Sequence, residues 1–276
     1  MNSTDDGEGA TGRLPAGERA WEADWDDFVI LHFSLPPAAL APHVPYELDL
    51  CGGLAWVSLV WFNLRRMRLA GTGALGRLLC RPISEHPFLN VRTYVRAASG
   101  PGICFLAEWI PNAISLRLGP LTYGLPYRYG RFTAKHCPEN GTTALRIDDP
   151  RYAEPFALVA PLAHGDGRRC PPGSADAFLL ERYQAYTFGS SRASRFRVAH
   201  APWRQERADW VRYEFGFMAD VFPWFARAEY RFAHLCGCLS DVMMGRPHAV
   251  APDGADARRG VPAGVPAPAH GVFHHA

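Results

Sequence analysis

The chain has 276 residues, is 48% hydrophobic and 20% charged, and carries a formal net charge of +2. That length supports one substantial core. The near-neutral balance gives no footing for nucleic acid or an anionic membrane surface, and no apolar run reaches the roughly 18 residues of a spanning helix.

Residues 1–20, "MNSTDDGEGATGRLPAGERA", are polar and acidic and lack the apolar stretch of a signal peptide. They read as a disordered segment before a single domain over 21–249. Seven scattered cysteines are an odd number at low density, so a cytoplasmic protein with reduced thiols is expected. Of the 29 basic residues only Lys135 is a lysine. Schiff-base chemistry would therefore need Lys135 or the terminal amine.

Strands are predicted over "FVILHFS" (28–34), "LAWVSLVWFNL" (54–64), "LNVRTYV" (89–95) and "GICFLAEWI" (102–110), all β-branched or aromatic and separated by Gly/Pro clusters. "PAALAPHV" predicts a short helix with Pro37 at its start. "GTGALG" (71–76) lacks the context of a phosphate loop and reads as a flexible loop. "YRYGRFTAKH" and "TTALRID" flank the Asn140-Gly141 pair and predict a hairpin with a tight turn. A helix is expected in "SADAFLLERYQAY" (174–186), capped by Ser174, with Phe178, Leu179, Tyr183 and Tyr186 on one face. "SRFRVAH" and "WVRYEFGF" add strands, and "FMADVFPWFARAEYRF" (217–232) offers an apolar surface for a homo-oligomer. Residues 250–276 form a Pro/Ala/Gly-rich tail that reads as disordered. Many strands with few helices imply a β-rich α+β fold, a sandwich or closed barrel.

Alternation along "LNVRTYV" places Asn90, Arg92 and Tyr94 on one face. An arginine there needs an anion or several acceptors. It either holds a substrate carboxylate as a planar fork or pairs with Glu85, Glu108 or Glu181. Glu108 is a lone carboxylate in an apolar strand, where burial would raise its pKa and suit it to proton transfer; a partner for a nearby arginine is the alternative. His234, Cys236 and Cys238 are zinc-capable types but lack a fourth partner, so no metal is expected.

The segments "LHFSLPPAALAPHVPYELDLCGGLAWVSLVWF", "LNVRTYV", "PGICFL", "GLPYRYG", "FLLERYQAYT" and "VAHAPW", within about 25–205, resemble a bacterial domain family of unknown function in the acetoacetate decarboxylase-like superfamily. The resemblance implies a mainly antiparallel β-barrel with peripheral helices and the pocket inside, and brings no established reaction. In the decarboxylases a Gly/Ala-x-Pro-Lys-Lys turn supplies the Schiff-base lysine, supported by an arginine and two glutamates. Here Tyr127 and Arg128 stand at the two lysine positions, Asp26 at the arginine, and Ser58 and Phe88 at the glutamates. Pro120 stands where relatives often carry arginine. Schiff-base decarboxylation is therefore not expected.

The reading that follows is a cofactor-independent enzyme of lyase, isomerase or cyclase type, acting on a small carbonyl or carboxylate compound, those of secondary metabolism included. Glu108, Tyr127 and Arg128 are its expected catalytic groups. Arg92, Tyr94, Ser58, Phe88, Asn90 and Trp109 are its expected substrate contacts. The alternative is a non-catalytic small-molecule module with an aromatic pocket.

Overall fold

The computed structural model describes residues 13–165, 167–189 and 192–250. In chain order the first strands are β1 (Arg19–Leu35), β2 (Glu47–Leu48), β3 (Ala55–Leu69), β4 (His86–Ala97) and β5 (Gly100–Ile110). Then follow β6 (Tyr127–Tyr129), β7 (Arg131–Cys137), β8 (Thr142–Asp148), β9 (Phe156–Pro161) and β10 (Arg168–Arg169). The last are β11 (Gln184–Gly189), β12 (Arg192–Ala199), β13 (Arg204–Arg207), β14 (Arg212–Glu214), β15 (Glu229–Cys236), β16 (Leu239–Gly245) and β17 (His248–Ala249). The helices are α1 (Pro37–Leu40), α2 (Gly73–Cys80), α3 (Ser115–Tyr123), α4 (Ala175–Leu180) and α5 (Phe217–Val221). None of them is long and apolar enough to cross a membrane.

Seven strands close a barrel in the order β1-β3-β4-β5-β11-β12-β16 and back to β1. These strands are apolar on both faces because both are covered. Val57, Leu59 and Trp61 of β3 face outward, into a layer shared with Leu145, Ile147, Phe156 and Leu158 of the four-stranded sheet β14-β9-β8-β7. Trp56, Val60, Phe62 and Leu64 face inward.

Two β-bulges decide which side chains enter the barrel. The β1–β3 register shifts between Asp26 and Val29, where Asp27 adopts a positive φ of 59°. The extra residue reverses side-chain parity, so Trp21 and Trp25 on one side of it and Phe28 on the other all reach the interior. On β5 a shift opposite Val91/Arg92 turns Phe105 inward alongside Glu108. Simple alternation would have put those two on opposite faces.

The structure also corrects several sequence expectations. Leu14 is buried against Ala199 and Met243, so ordered packing begins before residue 21; residues 1–12 and 251–276 lie outside the described residues. The expected loop at 71–76 contains the start of helix α2. Helix α4 is capped by Ser174 as expected, its Oγ accepting from the Ala177 amide at 3.1 Å, but it ends at Leu180. The residues beyond it enter β11, where barrel pairing outweighs helical periodicity. The β7–β8 hairpin forms, with a 3-10 turn at Pro138–Asn140 and Gly141 at φ 61° in place of a two-residue turn. Within 210–217 only Arg212–Glu214 is a strand. The expected oligomer segment is occupied at home, since Phe217, Met218, Phe222, Trp224 and Phe225 pack in the chain's own core.

Gly216 caps α5 at φ 48°, and a Cβ there would lie 1.9 Å from the Pro155 carbonyl oxygen. Gly216→Ala therefore combines backbone strain with a clash against main chain. It is expected to cost roughly 3–5 kcal/mol, at the upper end for single substitutions, as read by chemical denaturation.

Candidate functional site

The barrel encloses a cavity of about 140 Å³, close to the volume that accommodates one benzene ring in an engineered apolar cavity. Its wall is aromatic. Phe62 stacks on Phe28 and on Phe88 at centroid distances of 5.2 and 5.1 Å, and Trp25, Phe105 and Phe196 complete the surround. At one end lie Leu118 and Thr122 of α3, both solvent-exposed, which makes this end the mouth. At the other end lie the buried Arg92, Leu180, His200 and Trp203.

Polar side chains enter at defined levels. Asn90 pairs across the ladder with Glu108, and Glu108 with Tyr127 on the parallel strand β6. Paired neighbours in a sheet point to the same face, so Asn90, Glu108 and Tyr127 converge in the cavity. Gly119 of α3 packs on the Tyr127 ring so closely that a Cβ would lie 2.2 Å from it. Arg92 lies two residues further along β4, roughly 7 Å deeper.

Arg92 is only 8% exposed, and its Nη2 donates to the Leu179 carbonyl at 3.3 Å. Among the described residues its Nε has no hydrogen-bond partner, and neither do Asn90 Oδ1 and Trp203 Nε1, all of residues that line the cavity. No carboxylate forms an ion pair with Arg92 among the described residues, which removes the Glu85, Glu108 and Glu181 pairings. Glu181 is engaged elsewhere, accepting from the Trp203 amide and the Tyr183 hydroxyl. A buried guanidinium without a counter-charge is costly, and here it faces an enclosed space.

Glu108 is 3% exposed, and its carboxyl has no hydrogen bond among the described residues. Burial pushes its pKa up to about 8. Burial, with the Glu108 charge behind it, raises the Tyr127 phenol well above its ordinary value. Near neutral pH both groups are therefore mainly proton donors. Burial lowers His86 and His200 to about 4, leaving two neutral imidazoles in the lining.

Of the sequence candidates, the structure brings Arg92, Asn90, Phe88, Glu108 and Tyr127 together. Two face away. Trp109 and Arg128 pair with each other on the outer side of the wall, the guanidinium 5.7 Å from the indole centroid, and Trp109 Nε1 donates to Asp149. Alternation dictates this, because Glu108 and Tyr127 take the inner face. Neither Arg128 nor Trp109 therefore lines the cavity. Ser58 and Tyr94 are fully buried beside the cavity floor and do not line it; their oxygens are 2.6 Å apart. Lys135 is exposed on β7, outside the barrel. Cys238 lies beyond the end of β15, separated from His234, and no cluster of three metal-ligating side chains occurs among the described residues.

Sequence reasoning missed His32, His86, His200, Trp203 and the role of His234. His32 was the most legible of these, as the one polar ring in "FVILHF". Trp203 and His200 follow β12 in a non-strand segment, where no period marks direction.

A profile of the DUF2071 family, described as an uncharacterized conserved protein, matches residues 22–229. The uncharacterized protein YqjF of Bacillus subtilis is 24% identical over 198 residues, covering 71% of this chain and 79% of its own. Among solved structures, an acetoacetate decarboxylase-like enzyme from Sphingomonas wittichii has a TM-score of 0.59 at 15% identity, covering 91% of this chain and 100% of that one. The enduracididine biosynthesis enzyme MppR, complexed with pyruvate, has a TM-score of 0.61 at 14% identity and coverages of 89% and 94%. Acetoacetate decarboxylase from Legionella pneumophila has a TM-score of 0.59 at 11% identity and coverages of 91% and 98%. At these identities the structural likeness establishes the fold alone. The chain belongs to the DUF2071 family and has the acetoacetate decarboxylase-like fold.

Proposed function

We propose that the barrel cavity is an acid–base site for a small carboxylate-bearing carbonyl compound. One observation carries this reading: a buried carboxyl shares the barrel cavity with a buried guanidinium, and among the described residues the first has no hydrogen-bond partner and the second no carboxylate partner. Arg92 takes the substrate carboxylate, with Trp203 Nε1 beside it as a second donor. That places a carbon a few bonds along the substrate near Glu108, roughly 7 Å nearer the mouth. Glu108 moves the proton, its raised pKa leaving roughly one molecule in ten ionised as a base at pH 7. Tyr127, held neutral, donates a hydrogen bond to the developing enolate oxygen. The aromatic walls favour a substrate with a planar or ring-bearing body. MppR is described in complex with pyruvate, which is consistent with a barrel of this type holding an oxo acid.

The test is deuterium exchange next to the carbonyl of pyruvate, phenylpyruvate and acetoacetate, followed by proton NMR. Accelerated exchange with the native chain, and no borohydride-trapped adduct with the same compounds, is the expected result. A lysine-linked adduct would replace this mechanism with covalent chemistry. Tight binding without exchange would favour the second reading, a non-catalytic binding module, which the largely aromatic wall also suits.

A further inference from the structure

A chain of hydrogen bonds crosses the barrel wall to the floor of the cavity. His234 Nε2 lies 3.2 Å from Asp176 Oδ1, and His234 Nδ1 lies 2.9 Å from His32 Nε2. His32 Nδ1 lies 2.8 Å from Ser58 Oγ, and Ser58 Oγ lies 2.6 Å from the Tyr94 hydroxyl. The Tyr94 hydroxyl lies 3.0 Å from the Leu179 carbonyl oxygen, the acceptor that Arg92 also uses. His32, Ser58, Tyr94 and His234 are fully buried. Asp176 reaches solvent at the start of α4, beside Arg207 at 2.6 Å.

The protons of this chain can be counted. An ionised Asp176 accepts from His234 Nε2, which leaves His234 Nδ1 as an acceptor. His32 must then donate through Nε2 and accept at Nδ1 from Ser58. Ser58 has no further proton, so Tyr94 donates to Ser58. The bond from Tyr94 to Leu179 is left without a proton, and Arg92 alone serves that carbonyl. With neutral imidazoles the chain is thus one proton short of its contacts. One added proton fills every link. His234 then donates at both nitrogens, His32 donates to Ser58, Ser58 to Tyr94, and Tyr94 to Leu179, whose carbonyl then accepts from both Tyr94 and Arg92.

We infer that this chain couples anion binding at Arg92 to the uptake of one proton from solvent, with His32, His234, Asp176, Ser58 and Tyr94 as positioning residues for the anion site. The inference rests on Arg92 being the anion hold proposed above. In the empty site the extra positive charge is opposed by burial, by the neighbouring imidazole, and by Arg92 and Arg207, all of which hold His32 well below its ordinary pKa. His234 is lowered to about 4, chiefly by burial, with Asp176 opposing. An anion on Arg92 cancels one of the opposing charges. The proton then enters, and Tyr94 donates to Leu179 alongside Arg92 Nη2.

Other titratable or charged groups near this chain include His200, which lines the cavity and is also lowered by Arg92, Cys236 at the end of β15, whose thiol burial pushes up, and Arg182, 5.7 Å from the Tyr94 ring centroid and paired with Asp49. Glu108 is a level above Arg92 and already protonated below about pH 7. The test is isothermal titration of the whole chain with benzoate near pH 6, in two buffers of different ionisation enthalpy. The expected result is uptake approaching one proton per benzoate, with affinity rising up to tenfold per unit fall in pH. Tyr94→Phe removes the unserved link, so its uptake should vanish and its affinity become independent of pH. His200→Gln should leave the uptake unchanged. Asp176→Asn, at the partly exposed end, should also abolish uptake should the Tyr94 variant fold poorly. Benzoate bound with no proton uptake, or uptake that survives both Tyr94→Phe and Asp176→Asn, overturns the coupling and leaves the anion site standing. Benzoate, phenylpyruvate and pyruvate all failing to bind overturns the anion site itself, and the coupling with it.

Discussion

Arg92→Met is expected to weaken carboxylate binding strongly while leaving the protein as stable as the native chain, or more so. A charge-assisted bidentate contact contributes about 2–3 kcal/mol, so affinity for benzoate or phenylpyruvate should fall roughly 30- to 150-fold. Stability should move the other way, because the native guanidinium is 8% exposed with one long bond to Leu179 and an unpartnered Nε. Replacing such a group with an apolar side chain of similar volume removes a desolvation penalty. A structural arginine would behave oppositely, its loss unfolding the barrel. Titration calorimetry and thermal melting on one preparation separate the two. Full affinity in the variant would remove Arg92 from the site, and a melting point lowered by ten degrees or more would make it structural.

Glu108→Gln should reduce the deuterium exchange rate by about 10²–10⁴-fold, the range for losing a positioned proton-transfer group, with little change in benzoate affinity. Its pH dependence gives a second check. The folded pKa of about 8 lies above the ordinary 4.5, so the folded chain keeps a proton that the unfolded chain loses. Native stability therefore falls between about pH 4.5 and 8, by up to about 1.4 kcal/mol per unit. The buried histidines act in the opposite sense. His86, His200 and His234 are lowered to about 4, so the stability they contribute is complete above about 6.5 and is lost as pH falls toward 4. The two slopes oppose each other in mildly acidic solution. In Glu108→Gln only the histidine slope remains, so stability should rise to about pH 7 and then level off. Urea titrations across this range would show it. An unchanged fall toward pH 8 in the variant would place the raised pKa on another group.

Where pattern and pairing agree, the sequence was readable. The barrel strands carry continuous apolar or alternating runs, and Asn90, Arg92 and Tyr94 share a face because β4 itself has no extra residue. The limits came from bulges and from short parallel pairing. Nothing in "GICFLAEWI" marks Leu106 as the residue that turns Phe105 to the same side as Glu108. Tyr127 and Arg128 are adjacent residues of like promise, and only the pairing of β6 with β5 sends one inward and the other onto Trp109. The Asp176–His234–His32–Ser58–Tyr94 chain draws on α4, β15, β1, β3 and β4. Contacts between residues as much as 202 positions apart leave no local spacing to find.

The barrel has an odd number of staves. A ring of strands alternating up and down can close only when their number is even, so seven strands force one neighbouring pair to run the same way, and that pair is β5 and β11. Strands running the same way cannot be joined by a hairpin, and the excursion between them is residues 111–183. It carries α3 at the cavity mouth, Tyr127, the whole β7–β9 hairpin layer and α4 beneath Arg92. Mouth, Tyr127 and floor thus lie on a single excursion, which β6 ties back to β5 beside Glu108 and whose return strand β11 meets β5 at two residue pairs, Ala185 with Ile103 and Tyr186 with Cys104. Both ends of the cavity can therefore be reshaped within that excursion while the other staves keep their register.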